Sequence, residues 1–175
     1  MKNIVLLGFM GTGKTSVGRL LAARLRRPFI DIDQKIEMQC GSTISEIFQQ
    51  HGEAAFREQE RAVIAKASRY TNAVIATGGG VVLERENILR LKSNGVLISL
   101  TAPADVILAR TARRTTRPLL DCQNREQTIR NLLAIREPLY QVADYIVDTS
   151  SGSIRHVTEK IIALLRQGGY LRGRG

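Results

Sequence analysis

The sequence predicts a single three-layer α/β/α domain built on a five-stranded parallel sheet, with helices on both faces. Three observations lead there. Short apolar runs alternate with segments of helical period along the whole chain. The segments between the runs have the length of parallel crossovers rather than of hairpin turns. The chain has 175 residues, which fill one domain and not two. A hydrophobic fraction of 43% with 24% charged residues excludes a disordered chain, a fibre or a disulfide scaffold.

The elements follow in order. Asn3–Leu7 is an apolar run ending at glycine and reads as a buried strand. Lys14–Arg26 carries Val17, Leu20, Leu21 and Leu25 at helical spacing. Pro28–Ile32 reads as a second strand, and Ser45–Gln50 and Glu53–Arg69 as two helices. Ala73–Ala76 is a third strand, stopped by Gly78-Gly79-Gly80. Glu84–Ser93 is helical, Gly95–Leu100 a strand, and Ala104–Arg113 a helix. A polar, irregular segment, Thr115–Asn124, separates that helix from the helical Arg125–Tyr140. Tyr145–Val147 is the last strand and Ile154–Leu165 the last helix. The domain is expected to span residues 1–167, with 168–175 a disordered tail.

Two classes of function are weighed on composition. No apolar run approaches the roughly 18 residues of a membrane span. Lys2 followed by Ile4–Met10 resembles the start of a signal peptide but is too short and runs straight into a glycine-rich loop. Cys40 and Cys122 lack metal-ligand spacing and read as reduced thiols of a cytoplasmic protein. The net charge is +10, from 26 Lys+Arg against 16 Asp+Glu, and 20 of those 26 are Arg. Such a charge suits phosphate, carboxylate or nucleic acid. A nucleic-acid role lacks a recognition-helix signature and a set of stacking aromatics, so no specific nucleic acid is expected as a partner.

Ligands of parallel sheets bind at the carboxyl ends of the strands, so the residues following each strand carry the argument. After the first comes Gly8-Phe9-Met10-Gly11-Thr12-Gly13-Lys14-Thr15, the full G-x-x-x-x-G-K-[ST] pattern between a strand and a helix. Backbone N–H groups of such a loop cradle phosphates, and the helix N-terminus adds about half a positive charge. Lys14 reaches the β- and γ-phosphates, and the Thr15 hydroxyl ligates Mg²⁺. A dinucleotide site is the rival reading, since Gly11 and Gly13 are followed by Asp31 20 residues after Gly11, but Ser16 stands where its third glycine belongs.

Asp31-Ile32-Asp33 closes the second strand, where residues i and i+2 share a face. Asp31 could hold Mg²⁺ through water. Asp33 either accepts from a substrate hydroxyl or caps the next helix. Thr77-Gly78-Gly79-Gly80 closes the third strand, either as a bend where a ligand touches backbone or as a flexible loop. Arg57 alone reads as part of a solvated helix face. Residues 106–136 hold seven Arg against Asp121 and Glu126, a net +5, around the polar segment; this reads as a mobile lid at about residues 111–124 that closes over a nucleotide.

The ordered set of motifs resembles shikimate kinase: GFMGTGKTS, Asp31-Ile32-Asp33, Phe56-Arg57, Thr77-Gly78-Gly79-Gly80, Arg117-Pro118-Leu119-Leu120 and Arg136-Glu137-Pro138-Leu139-Tyr140. The resemblance implies a fold like that of nucleoside monophosphate kinases and transfer of the ATP γ-phosphate to the 3-hydroxyl of shikimate, in the pathway to chorismate and the aromatic amino acids. It implies ATP and shikimate as partners and one Mg²⁺ per site. A compact single domain with a complete site gives no reason to require an oligomer, so a monomer is expected. The resemblance places Gly11, Thr12, Gly13, Lys14, Thr15 and Ser16 on the ATP phosphates, and Thr15 and Asp31 on the metal. Asp33 is implied as the base, with Arg57 and Arg136 on the shikimate carboxylate and Gly78, Gly79 and Gly80 along the substrate. Lys14, Asp33 and Arg117 form the implied catalytic set, with Arg117 facing ATP from the lid. Arg110 is placed near the adenine. Ser153 and Arg155 are alternative adenine contacts, Ser153 being preferred. A related kinase for gluconate or a nucleoside monophosphate would share the phosphate loop and differ on the acceptor side.

Overall fold

The computed structural model describes residues 1–112 and 124–171. Five parallel strands form one sheet: β1 (Asn3–Gly8), β2 (Phe29–Asp31), β3 (Val74–Ala76), β4 (Gly95–Thr101) and β5 (Tyr145–Asp148), in the order β2-β3-β1-β4-β5. The registers Leu6 on Ala76 and Leu6 on Ile98 align the carboxyl ends of the three central strands. β1 is buried along its whole length. Its alternate side chains feed two cores: Val5 and Leu7 pack with one, Ile4 and Leu6 with the other. That two-sided burial is why the run is continuously apolar rather than alternating.

One core lies under α1 (Lys14–Leu25) and α7 (Ile154–Gln167) and includes Val17, Leu21, Ile161 and Leu165. The other lies under α2 (Ile32–Cys40), α3 (Ile44–Ala67), α4 (Arg85–Ser93), α5 (Ala104–Thr111) and α6 (Arg125–Arg136). Each fully buried Leu or Ile contributes roughly 1.5–3 kcal/mol. α3 opens with a capping box between Thr43 and Glu46 and breaks at Gly52, whose φ is 82°. The two helices expected over 45–69 are thus both present, meeting at that break. α6 stops at Arg136, where Pro138 sits at the start of a 3-10 turn, Glu137–Val142.

Three expectations need correction. Helix α2 was not expected at all. The second strand ends at Asp31, whose carboxylate accepts from the Gln34 amide at 3.2 Å and caps α2. Asp31 and Asp33 therefore do not share a strand face. Asp31 is the cap, and Asp33 sits in the first helical turn. The tail expected from residue 168 starts with an ordered stretch. Gly168 and Gly169 close α7, the Tyr170 amide donates to the Leu165 carbonyl at 2.9 Å, and the Tyr170 ring meets Tyr145 edge-on at 6.3 Å. Arg117, the rest of the RPLL motif and most of the expected lid lie outside the described residues, as do 172–175.

Candidate active site

Two adjoining cavities open where the carboxyl ends of β1, β2 and β3 meet their loops. The larger is about 600 Å³ and the smaller about 280 Å³. Thr15, Asp31, Asp33, Gly78 and Gly79 line both. A ligand in one therefore lies against a ligand in the other.

The smaller cavity is built on the phosphate loop. Gly11, Thr12, Gly13, Lys14, Thr15 and Ser16 all line it. The loop folds on itself through side chains: the Thr12 hydroxyl donates to the Phe9 carbonyl at 2.7 Å. Lys14 Nζ donates to the carbonyls of Gly8 at 2.6 Å and Phe9 at 2.9 Å, so a buried ammonium spans the loop. Gly11 has φ 78°, and a Cβ there would lie 2.8 Å from the Thr111 methyl, so both backbone and space demand glycine. Thr15 Oγ1 donates to Asp31 Oδ2 at 3.1 Å, which brings the two expected metal donors together at the mouth. Among the described residues no group of three or more His, Cys, Asp or Glu could hold a metal. An all-oxygen pair beside a phosphate cradle still fits Mg²⁺, which keeps waters and uses one or two protein oxygens plus substrate phosphates.

Arg110 closes the far side. It donates to the Gly11 carbonyl at 3.2 Å and to Thr149 Oγ1 at 3.0 Å. Thr149 was not expected. Its buried hydroxyl reaches the carbonyls of Thr12 at 2.9 Å and Thr101 at 3.1 Å, tying the phosphate loop to the end of β4. Ser153 stands apart from the lining. Its hydroxyl accepts from the His156 amide at 3.1 Å and caps α7, whereas Gly152 and Ile154 on either side line the cavity. Arg155 does not line it either.

The larger cavity gathers the acceptor-side residues Asp33, Arg57, Gly78, Gly79, Gly80 and Arg136. Arg57 is not on a solvated face: its side chain is 11% exposed. It donates to Glu60 Oε1 at 2.9 Å and to Glu53 Oε1 at 3.3 Å. A Cβ on Gly80 would occupy the space of the Arg57 guanidinium, which is the reason for glycine there. A Cβ on Gly78 would lie 2.8 Å from Asp33 Oδ1 and 3.2 Å from Glu60 Oε2. Arg136 is buried, and its guanidinium lies 5.9 Å from the Phe9 ring centroid. Two fixed guanidinium groups and an aspartate thus face one cleft, with Phe48, Phe56 and Ile44 supplying apolar wall.

Two acids in this cleft went unnoticed in the sequence. Glu37 is pushed above the usual carboxylate range by burial, then by the charges of Asp33 and Asp31. Glu60 is fully buried and is also pushed up, by burial, against the opposing pull of Arg57. Its position three residues after Arg57 on one helix was the available signal. A raised carboxyl favours the fold fully below its ordinary value, and that contribution is lost as pH rises through the raised value. The stability of the native chain minus that of Glu60→Gln is therefore expected to fall as pH rises above the ordinary carboxylate range. Urea midpoints of both proteins at each pH check this, and a flat or rising difference contradicts it.

The remaining excess charge near α6 divides. Arg125 donates to the Leu108 carbonyl at 3.2 Å and to the Thr111 hydroxyl, and Arg130 pairs with Glu126 at 3.0 Å. The first ties α6 to α5, the second is a pair within α6, and neither lines the two cavities.

The comparisons with known proteins agree with this geometry. A family profile described as shikimate kinase matches residues 10–166. Curated shikimate kinases are similar along nearly the whole chain. That of Caldanaerobacter subterraneus subsp. tengcongensis is 51% identical over 93% of this chain and 95% of its own. That of Pelotomaculum thermopropionicum is 48% identical over 98% and 99%. The solved shikimate kinase of Acinetobacter baumannii in complex with shikimate superposes with a TM-score of 0.93 at 43% identity, covering 96% of this chain and 94% of that one. A gluconokinase from Sinorhizobium meliloti shares the fold, with a TM-score of 0.62 at 18% identity over 95% and 92%. With the profile spanning nine-tenths of the residues and relatives this similar at both ends, the chain belongs to the shikimate kinase family.

Proposed function

We propose that the chain transfers the γ-phosphoryl group of ATP to the 3-hydroxyl of shikimate, giving shikimate 3-phosphate and ADP on the route to chorismate and the aromatic amino acids. The observation that carries this reading is the convergence of Arg57, Arg136 and Asp33 in a cleft that shares its wall with the phosphate loop. A guanidinium fork matches a carboxylate, and an aspartate accepts from a hydroxyl. One small acid bearing both groups uses all three residues.

The phosphate loop would hold the triphosphate, with Lys14 beside its terminal groups. Thr15 and Asp31 would hold Mg²⁺, which when bound supplies neutralisation of charge across the β- and γ-phosphates. Arg57 and Arg136 orient the acid so that its 3-hydroxyl faces Asp33. The hydroxyl oxygen forms the new bond to the γ-phosphorus as the bond from that phosphorus to the β–γ bridging oxygen breaks. The electron pair of the broken bond leaves with ADP, and the hydroxyl proton passes to Asp33. Placing both partners in line accounts for most of the rate, because the transferring group asks for little covalent help.

The reading makes the chain a cytoplasmic monomer acting on free small molecules, with no specific nucleic-acid or membrane partner. No described helix is long and apolar enough to cross a membrane. Measuring ADP release with shikimate, gluconate and nucleoside monophosphates as separate acceptors tests it. Release is expected with shikimate alone. Release with another acceptor and not with shikimate would move the chain to a different kinase activity.

A further inference from the structure

The last residue of the R-E-P-L-Y motif lies just behind the acceptor cleft, and no role has been given to it so far. Tyr140 is on the 3-10 turn after α6 and is 3% exposed. Its hydroxyl donates to the carbonyl of Gly79 at 2.6 Å. The Arg136 guanidinium, four residues earlier at the end of α6, lies near enough for its charge to oppose the effect of burial on that hydroxyl. Burial still pushes the phenol well above its ordinary value, so it stays protonated and keeps its role as donor to Gly79.

The three groups form a compact junction. A Cβ on Gly79 would lie 3.4 Å from the Met10 amide and 3.6 Å from Arg136 Nη1. The phosphate loop and the Arg136 guanidinium thus close in on the glycine turn, and the Tyr140 hydroxyl anchors that turn beside Arg136. Arg136 also lies over the Phe9 ring, 5.9 Å from its centroid. A long side chain held on one face only retains rotamer freedom that has to be frozen when a carboxylate binds.

We infer that Tyr140 is a positioning residue for the acceptor, anchoring the Gly79 turn beside Arg136 so that the guanidinium is already aimed at the carboxylate. The inference rests on the reading that Arg136 binds the shikimate carboxylate. It assigns Tyr140 no contact with substrate and no part in proton transfer.

Tyr140→Phe keeps the ring and its packing and removes only the hydroxyl. It is expected to raise the KM for shikimate up to about tenfold, the loss of the hydrogen bond that anchors the turn, while kcat changes less than about threefold. The KM for ATP stays at its native value. A merely structural defect would move both KM values or the active fraction. The coupling to Arg136 is read from kcat/KM for shikimate in an Arg136→Lys background, where adding Tyr140→Phe is expected to cost no more than about twofold. Should the variant be less stable, the rise in melting temperature on adding saturating shikimate still reports: that rise shrinks, and the rise with ATP persists. An unchanged shikimate KM overturns the inference, as do equal shifts in both KM values or a full tenfold effect in the Arg136→Lys background. A native chain that does not phosphorylate shikimate at all overturns the functional reading, and this inference with it.

Discussion

Asp33→Asn is expected to lower shikimate turnover by about 10²–10⁴-fold, with ATP affinity and melting temperature close to those of the native chain. Asp33 stands in the first turn of α2, and the residue that caps that helix is Asp31. It lines both cavities, against Gly78 and beside the buried Glu60. Asparagine keeps the size and one acceptor oxygen, so the acceptor still docks. What it removes is the charge that takes the proton as the new bond forms. Steady-state kinetics with saturating MgATP checks this. A variant within about tenfold of native turnover would show that Asp33 orients the hydroxyl without acting as base.

Lys14→Met is expected to lower kcat by about 10²–10³-fold, the usual loss when one preorganised cation facing developing charge is removed. The ammonium is buried and held to the carbonyls of Gly8 and Phe9, so its position is set before any nucleotide arrives. Methionine retains the reach and the packing against the loop and loses the charge. Single-turnover kinetics separate the chemical step from ATP binding. A variant that binds ATP poorly but reacts at the native rate once saturated would place Lys14 in binding alone.

The two active-site halves were legible to different degrees. The phosphate loop was readable because its pattern depends on local geometry: a strand end, two turns of backbone and a helix start, all within eight residues. The two-sided core followed from continuous apolar runs such as Asn3–Gly8, which only a sheet covered on both faces explains, whereas the strand order did not. The acceptor side was assembled from a distance. Arg57, taken alone, looked like surface, and only its burial against Glu60 and Gly80 shows why it is fixed.

Helix α2 was missed because Asp31-Ile32-Asp33 mimics strand alternation, while a single capping hydrogen bond to Gln34 turns the chain into a helix at that point. Thr149 carried no sequence signal, since its hydroxyl acts on Thr12 and Thr101, both far along the chain. Ser153 had the right type for a nucleotide contact, but a serine immediately before a helix is first of all a cap. The +10 charge gave direction without detail. Of the described arginines near α6, Arg110 and Arg136 serve the cavities, while Arg125 ties α6 to α5 and Arg130 pairs with Glu126 within α6.

The central claim is that one cleft binds a hydroxylated carboxylic acid and presents its 3-hydroxyl to ATP. The most direct test is to incubate the native chain with MgATP and shikimate and follow the products by proton and phosphorus NMR. The account predicts stoichiometric ADP and a single phosphate ester on the 3-hydroxyl. No ester, or an ester on another hydroxyl, would contradict it.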